Sequence, residues 1–328
     1  KDSTRQVTLW SMYLPKNAEM WRSSVEYLHD SGYWYSRFYG NYPYNHITAV
    51  DGDMSAGGGM EYPNITVISR DLSKDLLEYV IMHEVGHNWF YGILGNNERD
   101  HTWLDEGLNE YSNIRYWEKK YSDRNNQFVM QDIIQNKLRV GKNFDIHLFH
   151  YLSIAAIAKS RDAQPLDISA NKNFAYANYG QNYTRTAVMM RFLEHYLGEQ
   201  KIDQIMQDFY DTWKFRHPQP EDLRYSFEKY LDEDISWFFE NVFENTSYID
   251  FSITKKGNIF SLTNSGTFNV PVEVGYYDKS GKEIKRSWVR TDKKTMTLEA
   301  PTNATSATID PDQLMPDVER DNNSTSRG

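Results

Sequence analysis

The first part of the chain mixes helical and strand-like spacing of its hydrophobic residues. Residues 16–40 carry apolar and aromatic side chains at helical intervals, whereas the short runs His46–Val50 and Ile65–Ile68 have the composition of strands. From Ser73 to Gly92 the spacing is helical again. The pattern therefore predicts a mixed α and β region that leads into a long helix.

A longer helical region follows the polar segment GNNERDHT. It opens with WLDEGLNEYSNIRYWEKK, and in later stretches the apolar residues recur every three or four positions. These later stretches are 126–160, 184–197, 201–215 and 220–243. We predict that the middle of the chain is α-helical.

The spacing changes to period two near Asn245. Alternating stretches such as IDFSIT, NIFSLT and VPVEVGYY are separated by turn sequences such as KKGN, NSG and DKSG. We therefore predict an α+β fold class, with a first domain over residues 1–247 and a small β-sandwich over 248–316. The polar, apolar-poor tail 317–328 is predicted to be disordered.

Composition excludes some classes of partner and site. The chain has 328 residues, 39% of them hydrophobic, but no apolar run approaches the roughly 20 residues that cross a bilayer, and no secretory leader opens it. A net charge of −10 without a Lys/Arg cluster argues against nucleic acid as a partner. Because there is no cysteine, His and carboxylate are the strong zinc ligands that the chain can offer.

Two histidines of the first long helix stand four residues apart. The sequence HEVGH places His83 and His87 on one face of a helix, one turn apart, so that both imidazoles can reach one ion. Glu84 can approach a water on that ion from the side, where a general base is needed. By itself, however, the motif also fits two ordinary histidines on a helix face.

A third ligand distinguishes these two interpretations. Glu106 lies on the next predicted helix, with eighteen residues between it and His87. Two His and one Glu leave a fourth position open to water, which is typical of catalytic zinc sites. We predict that His83, His87 and Glu106 bind one Zn²⁺ per chain, and that Glu84 is the general base. Asp105 or Glu110 could accept a hydrogen bond from a metal-bound His, and the residues leave this choice open.

Three motifs resemble those of the M1 family of zinc aminopeptidases, which are gluzincins. HEVGHNWF is followed at the family's spacing by WLDEGLNEY, in which Asp105 replaces the customary Asn. GGGMEYP at 57–63 is similar to the family's Gly-x-Met-Glu-Asn exopeptidase motif, with Tyr62 in place of Asn. The segment YTRTAVMMRFLE, which starts at Tyr183, looks like the segment that bears the family's catalytic Tyr, with Arg185 where Lys is common.

The resemblance implies roles for two further side chains. Tyr183 would stabilise the oxyanion of the tetrahedral intermediate, although Tyr176 and Tyr179 are near enough in sequence to be confused with it. Glu61 would hold the free α-ammonium group of the substrate, which fixes the cut one residue from the N-terminus.

The glycine-rich motif and the fold follow from the same resemblance. Gly58, Gly59 and Met60 would bring backbone close to the peptide substrate. The first domain would be a thermolysin-like catalytic domain with a mixed α/β lobe and a helical lobe. The family's N-terminal domain would precede Lys1, and its C-terminal helical domain has no counterpart after residue 315. Because similar compact peptidases are often exported from bacteria, an extracytoplasmic location or the bacterial cell envelope is the expected compartment.

The predicted function is removal of the N-terminal residue from a peptide with a free N-terminus. A zinc endopeptidase, or a hydrolase of a modified small substrate, could use the same site but would not need Glu61, because it has no ammonium group to bind. A binding protein with an inactive peptidase fold would typically lack a metal ligand or the general base. This chain has all three ligands and the base Glu84. A piece inactive without its neighbouring domains would still bind zinc. The preferred N-terminal residue and the oligomeric state stay open.

Overall fold

The structure is a computed structural model of the chain. It describes residues 6–54, 58–70, 72, 74–121, 146–173 and 176–325. Contacts divide the chain into two units. The first contains Lys1–His150 and Asp167–Asp232, and the second contains Tyr151–Leu166 and Glu233–Gly328.

This division by contacts lies earlier in the chain than the boundary predicted after residue 247. One reason is aromatic packing within the second unit, where Trp237 contacts Phe268 with ring centroids 6.3 Å apart. Residues just before 247 thus pack with the sequence that follows them. The domain boundaries 1–247 and 248–316 stay a prediction.

A four-stranded sheet lies at the start of the first unit. Its strands are β1 (Thr8–Met12), β2 (His46–Gly52), β3 (Gly59–Met60) and β4 (Ile65–Ser69), in the order β1-β2-β4-β3. Strands β1, β2 and β4 are parallel, and β3 pairs antiparallel with β4. Among the described strands β3 is the edge strand, and one side of its backbone is therefore not paired within this sheet.

Helices account for most of the rest of the first unit. They are α1 (Ser24–Phe38), α2 (Lys74–Gly86), α3 (Leu108–Lys120), α4 (Ile146–Ala158), α5 (Tyr176–Leu197), α6 (Glu199–Trp213) and α7 (Pro220–Glu228). Helix α4 begins in the first unit and ends in the second. The predicted helical stretch 126–160 lies outside the described residues as far as 145. No helix among the described ranges is long and apolar enough to cross a membrane.

One face of α2 is apolar and fixes the orientation of the helix. Leu77, Ile81 and Val85 recur at helical spacing and are fully buried. Burial of each aliphatic side chain contributes about 1.5–3 kcal/mol, so a rotation of the helix would be costly. His83 in α2, and His87 directly after it, therefore keep a fixed direction.

The second unit contains two three-stranded antiparallel sheets. The first is formed by β5 (Phe251–Lys256), β6 (Ile259–Asn264) and β9 (Thr295–Leu298), in the order β5-β6-β9. The second is formed by β7 (Val272–Tyr277), β8 (Glu283–Val289) and β10 (Ser306–Ile309), in the order β10-β7-β8. A short helix, α8 (Ser236–Phe239), and a π-helical turn, Glu240–Glu244, precede them. The alternation of buried and exposed residues in β6 is the period-two pattern that the sequence contains.

The tail after residue 316 is packed as far as residue 325, which differs from the predicted disorder over 317–328. Asp317 is fully buried, and its carboxyl group accepts backbone hydrogen bonds from Phe251 (2.8 Å) and Glu319 (2.9 Å). The amide of Ile309 donates to the carbonyl of Asn323 (2.8 Å). Polar and backbone hydrogen bonds, rather than apolar residues, hold this segment, and a composition-based prediction does not detect them.

Candidate active site

Three side chains converge at one point beside α2. His83 lies in α2, His87 follows directly after the last residue of that helix, and Glu106 comes from the π-helical segment Trp103–Gly107 that leads into α3. The two Nε2 atoms are 3.2 Å apart, and each lies 3.2 Å from Glu106 Oε2. A tetrahedral zinc ion with bonds of about 2.0–2.1 Å holds its ligand atoms about 3.3–3.4 Å apart. The chemistry and spacing of these three groups therefore fit Zn²⁺.

A glycine at the end of α2 leaves room for side chains from two neighbouring helices. A side chain at Gly86 would collide with Tyr35 and with Asn109, which lies at the start of α3. Asn109 Nδ2 donates to the carbonyl oxygen of His83 (2.8 Å), which ties α2 to α3. The glycine in HEVGH thus allows α3, and with it Glu106, to lie against the histidines.

Each histidine has a carboxylate at its outer ring nitrogen. Asp105 Oδ1 is 2.8 Å from His87 Nδ1, and Glu110 Oε2 is 3.4 Å from His83 Nδ1. The side-chain amide nitrogen of Asn113 is nearer to His83 Nδ1, at 2.8 Å, and donates a hydrogen bond to Glu110 Oε2 at 3.0 Å. Such carboxylates orient a ligating imidazole and fix the tautomer that presents Nε2 to a metal. Both residues that the sequence offered for this position therefore lie there, one on each histidine.

Glu110 is itself held by residues that the sequence did not indicate. The Tyr79 hydroxyl donates to Glu110 Oε1, and His150 Nε2, from α4, is 3.0 Å from the same oxygen. Burial raises the pKa of Glu110, but His150 and His83 outweigh this effect and hold it well below its ordinary value. The carboxyl group is therefore ionised. No motif marks His150, because only the fold brings it from a distant helix.

Glu84 is a buried carboxyl group with an unused oxygen. Its Oε2 makes no hydrogen bond to the part of the chain that the structure describes. Burial, and to a smaller extent Glu61 and Glu106, raise the pKa of Glu84 to about 7, although His83 and His87 act against them. A carboxylate with this pKa can both accept and return a proton near neutrality.

Tyr183 lies beside the first histidine. The ring centroids of Tyr183 and His83 are 6.0 Å apart, with 20° between the ring planes. The ring centroids of Tyr183 and Tyr179 are also 6.0 Å apart. Burial, followed by the charge of Glu106, raises the pKa of Tyr183 well above its ordinary value. The hydroxyl therefore keeps its proton and can donate it in a hydrogen bond. The side chain of Tyr176, the other alternative, lies outside the described part.

Glu61 follows β3 and faces the same centre. Oxygen atoms of Glu61 and Glu84 and a ring nitrogen of His87 all lie within 4.8 Å of one another. In the preceding residues, Gly58 has a φ of 67°, which favours glycine, and Gly59 lies against the side chain of Glu84. Tyr62 is 55% exposed.

All of the predicted site residues line one cavity of about 790 Å³. They are Gly58, Gly59, Met60, Glu61, His83, Glu84, His87, Glu106 and Tyr183. The cavity is also lined by residues that the sequence did not single out, such as Glu98, Arg99 and His150. The roles given to the nine residues stay predictions.

Comparison with known proteins places this cavity in context. The model of the "Peptidase family M1 domain" matches residues 31–242. The chain is 26% identical over 170 residues to aminopeptidase Q of Homo sapiens, covering 49% of this chain and 15% of that protein. It is 18% identical over 249 residues to glutamyl aminopeptidase of Rattus norvegicus, covering 71% of this chain and 25% of the relative. The chain thus spans a quarter or less of these relatives.

A solved structure shares the fold. Aminopeptidase A of Legionella pneumophila, determined in complex with aspartic acid, superposes with a TM-score of 0.69 at 15% identity, covering 94% of this chain and 36% of that one. The family match covers more than half of the chain and contains the two histidines, Glu61 and Tyr183. The resemblance found in the sequence is confirmed, and the chain belongs to peptidase family M1.

Proposed function

We propose that the chain is a zinc-dependent aminopeptidase that removes the N-terminal residue from peptides. The observation that carries the proposal is the position of Glu61, whose carboxyl oxygen lies within 4.8 Å of Glu84 and His87. A carboxylate next to the candidate base has a direct use in binding a free α-ammonium group. An enzyme that cuts within a chain has no such group to bind at this point.

His83, His87 and Glu106 would hold the zinc ion. When bound, zinc supplies a water of lowered pKa and polarises the carbonyl group of the scissile peptide bond. Burial raises the pKa of Glu106, but the two histidines lower it well below its ordinary value, so the carboxylate is ionised as a ligand must be. Asp105 and Glu110 orient the two imidazoles.

Glu84 moves the proton. As the general base it takes the proton of the attacking water, and the raised pKa lets it pass that proton to the leaving amine. Its unbonded Oε2 is the oxygen that can accept this proton. Contact with Gly59 keeps the carboxyl group from turning towards β3.

Tyr183 donates a hydrogen bond to the oxyanion of the tetrahedral intermediate. It stays protonated because burial and Glu106 raise its pKa. Loss of one such donor typically costs about 3 kcal/mol of barrier. Strand β3 is the edge strand of its sheet among the described residues, and its outer edge would bind peptide backbone as an added strand, with Glu61 directly after it.

The proposal also includes a domain and a compartment. The two antiparallel sheets of the second unit would form the small β-sandwich, and the chain would be extracytoplasmic or part of the bacterial cell envelope. Cell fractionation with an antibody against the chain tests the second point, and recovery in the cytosol alone would remove it.

The test of the activity uses the zinc-loaded chain with its metal content quantified. Amino-acid fluorogenic amides are assayed beside N-acetylated versions of each, with Glu84→Gln as the blank. Cleavage that is confined to free amines and lost in the blank supports the aminopeptidase. Glu61→Gln should lower kcat/KM for the free amines by about 10²-fold, since a charge-assisted contact is lost.

Other outcomes favour the alternatives. Cleavage of acetylated substrates that Glu61→Gln leaves intact indicates an endopeptidase or a hydrolase of a modified substrate. Bound zinc without turnover of any substrate indicates a chain that acts only together with further domains. Failure to bind zinc rejects the proposal outright.

A further inference from the structure

The cavity that contains the site residues is rich in carboxyl groups but has one guanidinium group. Six of the lining residues are Asp or Glu, and Arg99 is the one Lys or Arg among those that the structure describes. Such a lining suits the ammonium group of a substrate and repels its carboxylates. Among the described side chains that line the cavity, Arg99 is therefore the one with a permanent positive charge that can pair with an anionic group of the substrate.

The backbone of Arg99 is held in place while its side chain is exposed. The side-chain oxygen of Asn97 accepts hydrogen bonds from the amides of Arg99 and Asp100, both at 3.2 Å. The carbonyl oxygen of Arg99 accepts a hydrogen bond from the amide of Ala170 at 2.8 Å. Within the described ranges, the guanidinium group has neither an ion pair nor a hydrogen bond, although it lines the cavity.

Because Arg99 is exposed, an ion pair with a neighbouring carboxylate, such as that of Glu98, would contribute only about 0–1 kcal/mol. Its guanidinium group can therefore turn to a substrate at little cost. Its planar fork of donors matches a carboxylate and binds it through two parallel hydrogen bonds. A peptide offers such a carboxylate from two sources, its C-terminus and the side chain of any Asp or Glu.

We propose that Arg99 binds a carboxylate of the peptide substrate and is a specificity-determining residue of the cleft. This inference rests on the proposed function, because it assigns the substrate class of the same site. It makes the enzyme selective for peptides whose free carboxylate lies within reach of Arg99 while the α-ammonium group lies at Glu61.

The first experiment compares matched substrates. One arm uses di-, tri- and tetrapeptides with a free C-terminus and their C-terminal amides. The other uses amidated peptides that carry Asp or Glu, against Asn or Gln, at the first or second position. We expect kcat/KM to be about three- to tenfold higher for the carboxylate of at least one matched pair, and this ratio to shrink at high salt.

The second experiment repeats the comparison with Arg99→Gln and Arg99→Lys. Arg99→Gln should bring the ratio to about one, and Arg99→Lys should retain part of it, because a lysine keeps the charge but not the fork. Arg22→Gln is the matched control, because Arg22 is also exposed and belongs to the same unit but does not line the cavity. Its ratio should equal that of the parent chain.

The arms also separate the two sources of the carboxylate. A preference confined to free C-termini assigns Arg99 to short peptides, and one confined to Asp or Glu assigns it to acidic side chains. A parent ratio of one in both arms overturns the proposal, as does a ratio that Arg99→Gln leaves unchanged.

A binding measurement keeps this inference separate from the proposed activity. In the Glu84→Gln background, calorimetry measures the affinity for each acid and its amide without turnover. If no peptide is cleaved by the parent chain, the proposed function fails, but a preference for the acid that depends on Arg99 still supports the carboxylate site. Equal affinity for acid and amide overturns it.

Discussion

The side chain of Glu84 lies so close to β3 that Gly59 has no room for a side chain. A Cβ atom at Gly59 would collide with the carboxyl group of Glu84. Strand β3 therefore limits the directions in which the carboxyl group of Glu84 can point. Proton transfer depends steeply on this direction, because small displacements of a reacting group cost large factors in rate.

We expect Gly59→Ala to lower kcat by about 10²-fold while zinc content is unchanged, because the added methyl group displaces Glu84. Steady-state kinetics with metal analysis check this expectation. Gly180→Ala is the control, since a Cβ atom there meets nothing within 4 Å although the residue lines the same cavity. Full activity of Gly59→Ala would show that Glu84 is not held by this contact.

Glu110 offers a second prediction at this scale. Its carboxylate lies 3.4 Å from His83 Nδ1 and accepts a hydrogen bond from Asn113, which contacts the same ring nitrogen. Glu110→Gln therefore removes the negative charge beside this ligand. We expect zinc affinity to fall about 10–100-fold in competition with a fluorescent chelator. Glu118→Gln serves as the control, because Glu118 is on the same helix but pairs with Arg191 at 3.1 Å. An affinity equal to that of the parent chain contradicts the orienting role.

At the scale of elements, the site depends on how closely α2 and α3 approach. Gly86 is the contact point, with Tyr35 and Asn109 against its Cα atom. The residues of HEVGH therefore have two roles. The histidines would bind the metal, and the glycine allows the close packing. The sequence shows the first and gives no sign of the second.

We expect Gly86→Ala to destabilise the chain by about 1–3 kcal/mol, because an extra methyl group is forced into a packed contact. The free energy of unfolding in urea, measured with excess zinc removed, checks this value. Gly180→Ala should instead be neutral or stabilise its helix by up to about 1 kcal/mol. A Gly86→Ala chain as stable as the parent would mean that α2 and α3 can separate freely.

The tail of the second unit is a further element with a testable role. Asp317 is buried and accepts two backbone hydrogen bonds, so Asp317→Ala leaves two amides without acceptors. We expect a loss of about 2 kcal/mol or more in the free energy of unfolding. Asp321→Ala, at an exposed position of the same segment, is the control. If both variants have the same free energy of unfolding, the contacts of Asp317 do not stabilise the chain.

For the whole molecule, the sequence predicts those parts of the site whose residues lie close together in the chain. His83, Glu84 and His87 are fixed by helical period alone, and Glu106 requires one helix–loop–helix return. His150 and Arg99 carry no motif, because each reaches the cavity only through tertiary packing. The sequence also does not predict the packed tail, because the hydrogen bonds that hold it leave no pattern of apolar residues.

The last prediction concerns the pH dependence of the whole enzyme. Glu84 acts in its ionised form, so activity must fall as pH falls through its pKa. Burial raises this pKa from 4.5 to about 7, and the charge of a bound zinc ion lowers it again. We therefore expect the acid limb of the kcat/KM profile to lie between pH 4.5 and 7. Bound zinc is measured at each pH, because protonation of His83 and His87 also releases metal. Loss of activity that follows loss of zinc at every point would assign the limb to the histidines instead of Glu84.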